Sequence, residues 1–212
     1  MDQEKKMQTA FKKMGFILSG TTWGVLFSFW IYGHSLQVWG LTGWQQISES
    51  LLILQAVLFF VFAVFRKAAK TTSWSLMDII TSFLGSFSIL LFIRTTAAGT
   101  SLIATVVQII GSLLTIAAII SLNRSFGMLP ANRAIQRGGM YRWVRHPLYA
   151  SYQIFSIGYI INQPSLYNGL VAVLCLLSQI LRIFAEEKML LQDPEYQAYV
   201  KQVRWRLLPF LF

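Results

Sequence analysis

An all-α polytopic membrane protein with about six transmembrane helices (five to six) is the fold class this sequence predicts, and three observations predict it. Of its residues, 55% are hydrophobic and 12% charged, against about 25% charged in a soluble domain. About six apolar stretches approach or exceed the roughly 20 helical residues that cross a hydrocarbon core of about 30 Å. The basic residues gather between those stretches and sort to one side.

The first stretch runs near Gly15 to Gly33. Lysines precede it, yet it is long and lacks a small-residue cleavage site, so it reads as a retained anchor and not a signal peptide. The second, Ser50 to Phe65, is short and is expected to extend into its flanks. The third covers Trp74 to Ile93, with Asp78 near its start, where the carboxylate is expected to reach the interface or pair with Arg66 or Lys67. The fourth, Ser101 to Leu122, ends before Asn123-Arg124-Ser125-Phe126-Gly127-Met128-Leu129-Pro130, which breaks the helix. The fifth, Pro147 to Asn162, is short and opens on a proline, which a helix accepts in its first turn. The sixth spans Tyr167 to Phe184. Asp193 to Val200 then reads as a capped amphipathic helix with Pro194 at its first turn, and a basic aromatic tail after it suits the membrane surface.

Lys5, Lys6, Lys12 and Lys13 precede the first span, and Arg66, Lys67 and Lys70 follow the second. Arg124, Arg133, Arg137, Arg142 and Arg145 follow the fourth, while Arg182, Lys188, Lys201, Arg204 and Arg206 lie at or beyond the end of the sixth. Only Arg94 falls on the opposite side. Both termini are therefore expected in the cytoplasm, and the compact chain suits a prokaryotic plasma membrane. With no repeat or linker, residues 1–212 form a single domain, in which 1–122 are expected to act as scaffold and 123–212 to carry the chemistry.

The single cysteine, Cys175, lies in an apolar run and excludes an intramolecular disulfide. His34 and His146 have no further His or Cys nearby, which argues against a metal site. The net charge of +10 would suggest nucleic acid in a soluble protein. Here the cations act as topology signals and contacts for anionic headgroups, so membrane lipids and not nucleic acids are the expected partners.

Cationic, aromatic and acidic groups nevertheless meet at helix ends, in Gly139-Met140-Tyr141-Arg142-Trp143-Val144-Arg145-His146-Pro147-Leu148-Tyr149 and in Arg182-Ile183-Phe184-Ala185-Glu186-Glu187. Ionisable groups at that depth are costly and mark a candidate site. Gly138-Gly139 allows close backbone approach but also marks any tight turn. The start of the fifth helix, with its unpaired N–H groups, is a natural seat for a carboxylate. Arg182 and Glu186 share one helix face, either as a simple ion pair or as site residues. Glu187 points about 100° away and is expected to do a different job. Arg142 carries no signal beyond positive-inside anchoring.

The ordered set Gly139-x-Tyr141, Arg145-His146-Pro147-x-Tyr149, Arg182-x-x-x-Glu186-Glu187, Tyr196-x-x-Tyr199 and Arg206-x-x-Pro209 resembles the integral membrane methyltransferases of the isoprenylcysteine carboxyl methyltransferase and phospholipid methyltransferase superfamily. The likeness covers Asn123 to the end. Two positions depart from the family pattern, Met140 where proline is usual and Ser151 where glycine is usual.

The resemblance implies S-adenosylmethionine as cofactor, in a pocket formed by the C-terminal helices and loops and capped by the tail, with a lipophilic or prenylated-cysteine substrate entering from the membrane. It implies that Ala134, Ile135, Gln136, Tyr141, His146, Pro147, Leu148, Tyr149 and Glu186 bind the cofactor. Arg182, Glu187 and Arg145 are the implied catalytic residues, and Arg182 and Arg206 would bind the substrate. Carboxyl O-methylation of an isoprenylcysteine-like or other lipid-linked acid is the expected reaction. N- or S-methylation of a phospholipid amine or small thiol, a sterol-type NADPH-dependent reductase, and a non-catalytic scaffold are the alternatives. A cationic sulfonium suits nearby carboxylates, and an anionic acceptor suits arginine.

Overall fold

The structure, a computed structural model, describes residues 43–67, 69, 71–73, 75–93, 101–127 and 129–212. The stretch expected near Gly15 to Gly33, its preceding lysines, His34, Lys70 and Arg94 lie outside the described residues.

Helix α1 spans Gly43–Val64 and starts before Ser50, because polar Ser48 finds Gln108 of a neighbouring helix at 3.0 Å and that turn can therefore be buried. A short ribbon pairs β1, Thr71–Thr72, antiparallel with β2, Ala131–Asn132. This is a small exception to the all-α expectation, and it ties the connector after α1 to the loop after the third helix. Helix α2 covers Leu76–Phe87 and tightens into a 3-10 turn at Ser88–Leu91. Its 12 residues reach only about 18 Å at 1.5 Å per residue, so α2 is shorter than the span expected there. Asp78 accepts a hydrogen bond from the Ser73 hydroxyl.

Helix α3, Leu102–Leu122, is N-capped by Ser101 and ends at Asn123 with φ +50°. Helix α4, Pro147–Asn162, begins on the proline, and α5, Leu166–Leu190, is capped by Ser165. Helix α5 continues past Phe184, so Glu186 and Glu187 are helical. Helix α6, Pro194–Gln202, is capped by Asp193, whose side chain accepts from Glu195 N. Three described helices are long and apolar enough to cross a membrane: α1, α3 with its 3-10 extension, and α5. Lipid-facing positions such as Ile103 and Leu113 on α3 and Leu170 and Leu181 on α5 are exposed apolar side chains, as a hydrocarbon environment demands. This is a polytopic helical membrane fold.

The helices associate through small and polar groups. A Cβ on Gly158 would lie 2.6 Å from the Ala104 carbonyl, and one on Gly111 would lie 2.5 Å from the Phe155 amide nitrogen. Glycine at both positions therefore lets α3 and α4 touch backbone to backbone. Thr115 donates to Ser151 Oγ at 2.9 Å and Gln108 to the Gly158 carbonyl at 3.1 Å along the same seam. Helix α5 packs instead on α2, and α4 and α5 meet only sparsely. Their facing ends, with the loop after α3, enclose a cavity.

Candidate active site

Gly139 turns the chain with φ +58° beside Ser121, where a Cβ would clash with the serine side chain. The next amide, Met140 N–H, donates to Ser121 Oγ at 3.3 Å, a bond that the family's proline could not make. Ser151, the other departure, donates to the Leu148 carbonyl at 2.8 Å and so braces the first turn of α4.

The chain then enters α4 through Arg145 and His146, both nearly fully buried. Their amides donate to the carbonyls of Trp205 and Arg206 at 2.9 and 2.8 Å, and the Arg145 guanidinium reaches the Arg204 carbonyl at 3.2 Å. The C-terminal tail thus lies across this segment. Glu187 fixes the junction: its carboxylate meets Arg145 at 3.2 Å, His146 Nε2 at 3.2 Å and Arg206 Nε at 2.9 Å.

Glu186 faces elsewhere. Its Oε1 accepts from the Tyr149 hydroxyl at 2.7 Å and from Arg182 Nε at 2.9 Å, and its Oε2 lies 3.9 Å from His146 Nδ1. Arg182 is 4% exposed and its other nitrogens are engaged, with Ser86 Oγ at 2.6 Å, the Ser82 carbonyl at 3.5 Å and the Gly127 carbonyl at 3.0 Å. It therefore joins α2, α5 and the loop after α3. Its guanidinium also lies over the Tyr149 ring, 5.3 Å from the centroid.

A cavity open on one side lies against this cluster. Ala134, Ile135, Gln136, Tyr141, His146, Leu148, Tyr149 and Glu186 line it, as do Arg145 and Arg182. Pro147, Glu187 and Arg206 are not among the lining residues. Pro147 is buried in the first turn of α4, and Glu187 and Arg206 pair with each other behind the wall.

Several lining groups carried no assigned site role in the sequence reading. Arg133 lies against Gly127, at a spot where a Cβ would strike the guanidinium. In sequence it is one arginine among several in a basic loop. Burial, then Arg66, draws its pKa down to about 10, with Glu186 opposing, so it stays charged at neutral pH. Tyr196 and Tyr199 also line the cavity, and their Tyr-x-x-Tyr spacing was the available signal. The Tyr199 hydroxyl donates to the Tyr141 carbonyl at 2.7 Å. Burial raises the phenols of Tyr141, Tyr196 and Tyr199, which leaves them neutral hydrogen-bonding groups. Three buried polar atoms of lining residues have no hydrogen-bond partner among the described residues: Arg133 Nε, Arg145 Nε and the Tyr196 hydroxyl.

A carboxylate among aromatic rings and arginines at the end of membrane helices has the features of a small-molecule site. Residues 94–194, just under half of the chain, match the family model described as phospholipid methyltransferase. The matched segment includes Arg145, His146, Tyr149, Arg182, Glu186 and Glu187, and the match supports the likeness to membrane methyltransferases carried by the sequence motifs. The chain is also similar to a solved eukaryotic intramembrane Ras methyltransferase, isoprenylcysteine carboxyl methyltransferase, at 24% identity over 78% of this chain and 67% of that one, with a TM-score of 0.49. No curated protein matches the sequence.

Proposed function

We propose that this membrane methyltransferase uses S-adenosylmethionine and methylates a lipophilic acceptor, with the carboxylate of an isoprenylcysteine-like or other lipid-linked acid as the preferred group. The observation that carries the proposal is the Glu186 carboxylate, held by Tyr149 and Arg182 in the wall of the cavity. A carboxylate in a low-dielectric site favours a cationic ligand.

The wall fits the cofactor's other groups as well. The Arg133 and Arg145 guanidinium groups line the cavity and suit the carboxylate of an amino-acid moiety. The unpaired Tyr196 hydroxyl suits a ribose or purine acceptor, and Tyr141 and Tyr199 supply flat apolar faces. When bound, S-adenosylmethionine supplies an electrophilic methyl group. The protein's own task is positioning, which contributes roughly 7 to 11 kcal/mol when reacting atoms are held in near-attack geometry. Glu186, Tyr149 and Arg182 form one side of the site, and Glu187 joins the tail to the start of α4 beside it.

A carboxylate acceptor is already ionised at neutral pH and needs no base. N- or S-methylation stands as the second possibility on one observation: His146 Nε2 is engaged by Glu187, so in the neutral ring Nδ1 is left to accept a proton from an amine or thiol. The family match favours methyl transfer over an NADPH reductase or an inert scaffold. Titration of the purified protein with S-adenosylhomocysteine and, separately, NADPH tests the choice. The former should raise thermal stability by about 2.7 kcal/mol at 100 times its Kd, and stabilisation by NADPH alone would overturn the proposal.

A further inference from the structure

One turn deeper than Tyr149 and Arg182, α4 and α5 are bridged by two glutamines. Gln153 Nε2 donates to Gln179 Oε1 at 2.8 Å. Gln179 is fully buried, and its own Nε2 donates to the Gly85 carbonyl at 3.3 Å and contacts Cys175 Sγ at 3.2 Å. These bonds fix both amides. The Gly85 carbonyl can only accept, so Gln179 must turn its nitrogen to it and its oxygen to Gln153. Gln153 must then present nitrogen to Gln179, which leaves its own Oε1, on a half-buried side chain, with no partner among the described residues.

An unpaired amide oxygen at membrane depth is costly, because hydrocarbon offers it no donor. It also stands where α4 and α5 meet only sparsely, about one helical turn, roughly 5 Å, from the cavity wall. A lipid whose reacting head occupies the cavity would pass its first chain linkage through this level. We infer that Gln153 Oε1 accepts a hydrogen bond from an amide N–H in the acceptor's chain, so the protein selects amide-linked over ester-linked lipophilic acids. The inference rests on the methyltransferase function proposed above. An ester has the same length and carbonyl but no donor, and it would leave Oε1 unpaired.

The matched probes are N-palmitoylglycine and its ester analogue, palmitoyl glycolate, titrated into the full-length protein in lipid nanodiscs saturated with S-adenosylhomocysteine. Wild type should bind the amide about fivefold more tightly, the factor that one neutral hydrogen bond of about 1 kcal/mol supplies. Gln153→Leu should bring the ratio to about one, and Gln153→Met, closer in shape, covers the case in which the leucine variant does not fold. Affinity for S-adenosylhomocysteine should be unchanged in both. Equal binding of the two probes by wild type, no binding of either, or a ratio that survives in the folded variant would overturn the inference. Failure of wild type to bind S-adenosylhomocysteine would instead remove the methyltransferase proposal beneath it.

Discussion

The Tyr149 hydroxyl donates to Glu186 Oε1 at 2.7 Å across the gap between α4 and α5, and Arg182 Nε donates to the same oxygen at 2.9 Å. One carboxylate oxygen is thus held by two donors, which sets where the negative charge sits in the cavity. Tyr149→Phe leaves Arg182 in place and removes one of the two. The expected outcome is a loss of S-adenosylhomocysteine affinity of about tenfold, the lower end of what a hydrogen bond to a charged group contributes, with the fold kept. Calorimetric titration checks it, and wild-type affinity would detach Tyr149 from the site.

Tyr196 gives a sharper test because its hydroxyl is buried and has no partner among the described residues. An unpaired buried hydroxyl does not stabilise the free protein, so Tyr196→Phe should leave the thermal midpoint unchanged or raise it. If the hydroxyl serves a ligand, the same change should weaken S-adenosylhomocysteine binding by about fivefold. Thermal denaturation with and without ligand separates the two effects in one experiment.

Glu187 meets Arg145, His146 and Arg206 at one carboxylate. Glu187→Gln leaves the buried Arg145 guanidinium uncompensated, a strongly destabilising change of about 3 to 5 kcal/mol. The loss should concentrate in the tail, which is joined there by the bonds of Arg145 and His146 to Trp205 and Arg206. Hydrogen exchange should show faster exchange at the Arg145 and His146 amides while the seam of α3 and α4 stays protected. Uniform deprotection would show that Glu187 supports the whole bundle and not the tail.

Arg182 presents a planar fork to Glu186, Ser86 and Gly127. Lysine keeps the charge but cannot reach all three, so Arg182→Lys should lower stability by on the order of 2 kcal/mol through the groups left unpaired. Cofactor-product affinity should fall with it, since Glu186 loses a partner. If denaturation and titration instead both match wild type while methyl transfer falls tenfold, Arg182 acts on the acceptor and its bonds to α2 and the loop are incidental.

Legibility from sequence differed with the range of the forces involved. Pro147 and Ser101 announce the starts of α4 and α3 by local chemistry, and those helices lie where the pattern puts them. Helix α5 outruns its apolar stretch because Arg182, Glu186 and Glu187 are satisfied by Gly127, Tyr149 and Arg145, far away in the chain, which hydropathy does not register. The divergence of Glu186 from Glu187 was readable from helical geometry alone. The close approach of Arg133 to Gly127 and the fixed amides of Gln153 and Gln179 depend on how α2, α4, α5 and the loop pack, and no spacing in the sequence encodes them.

The most direct measurement is calorimetric titration of S-adenosylhomocysteine into purified wild-type and Glu186→Gln proteins side by side. Glu186→Gln preserves shape and removes the charge, and truncating one member of a buried charge pair typically costs about 2 to 5 kcal/mol. The wild type should bind saturably at one site, and Glu186→Gln, folded by thermal denaturation, should bind at least about thirtyfold more weakly. No binding to wild type, or equal affinity in the folded Glu186→Gln protein, would contradict the assignment of this cavity to a cationic methyl donor.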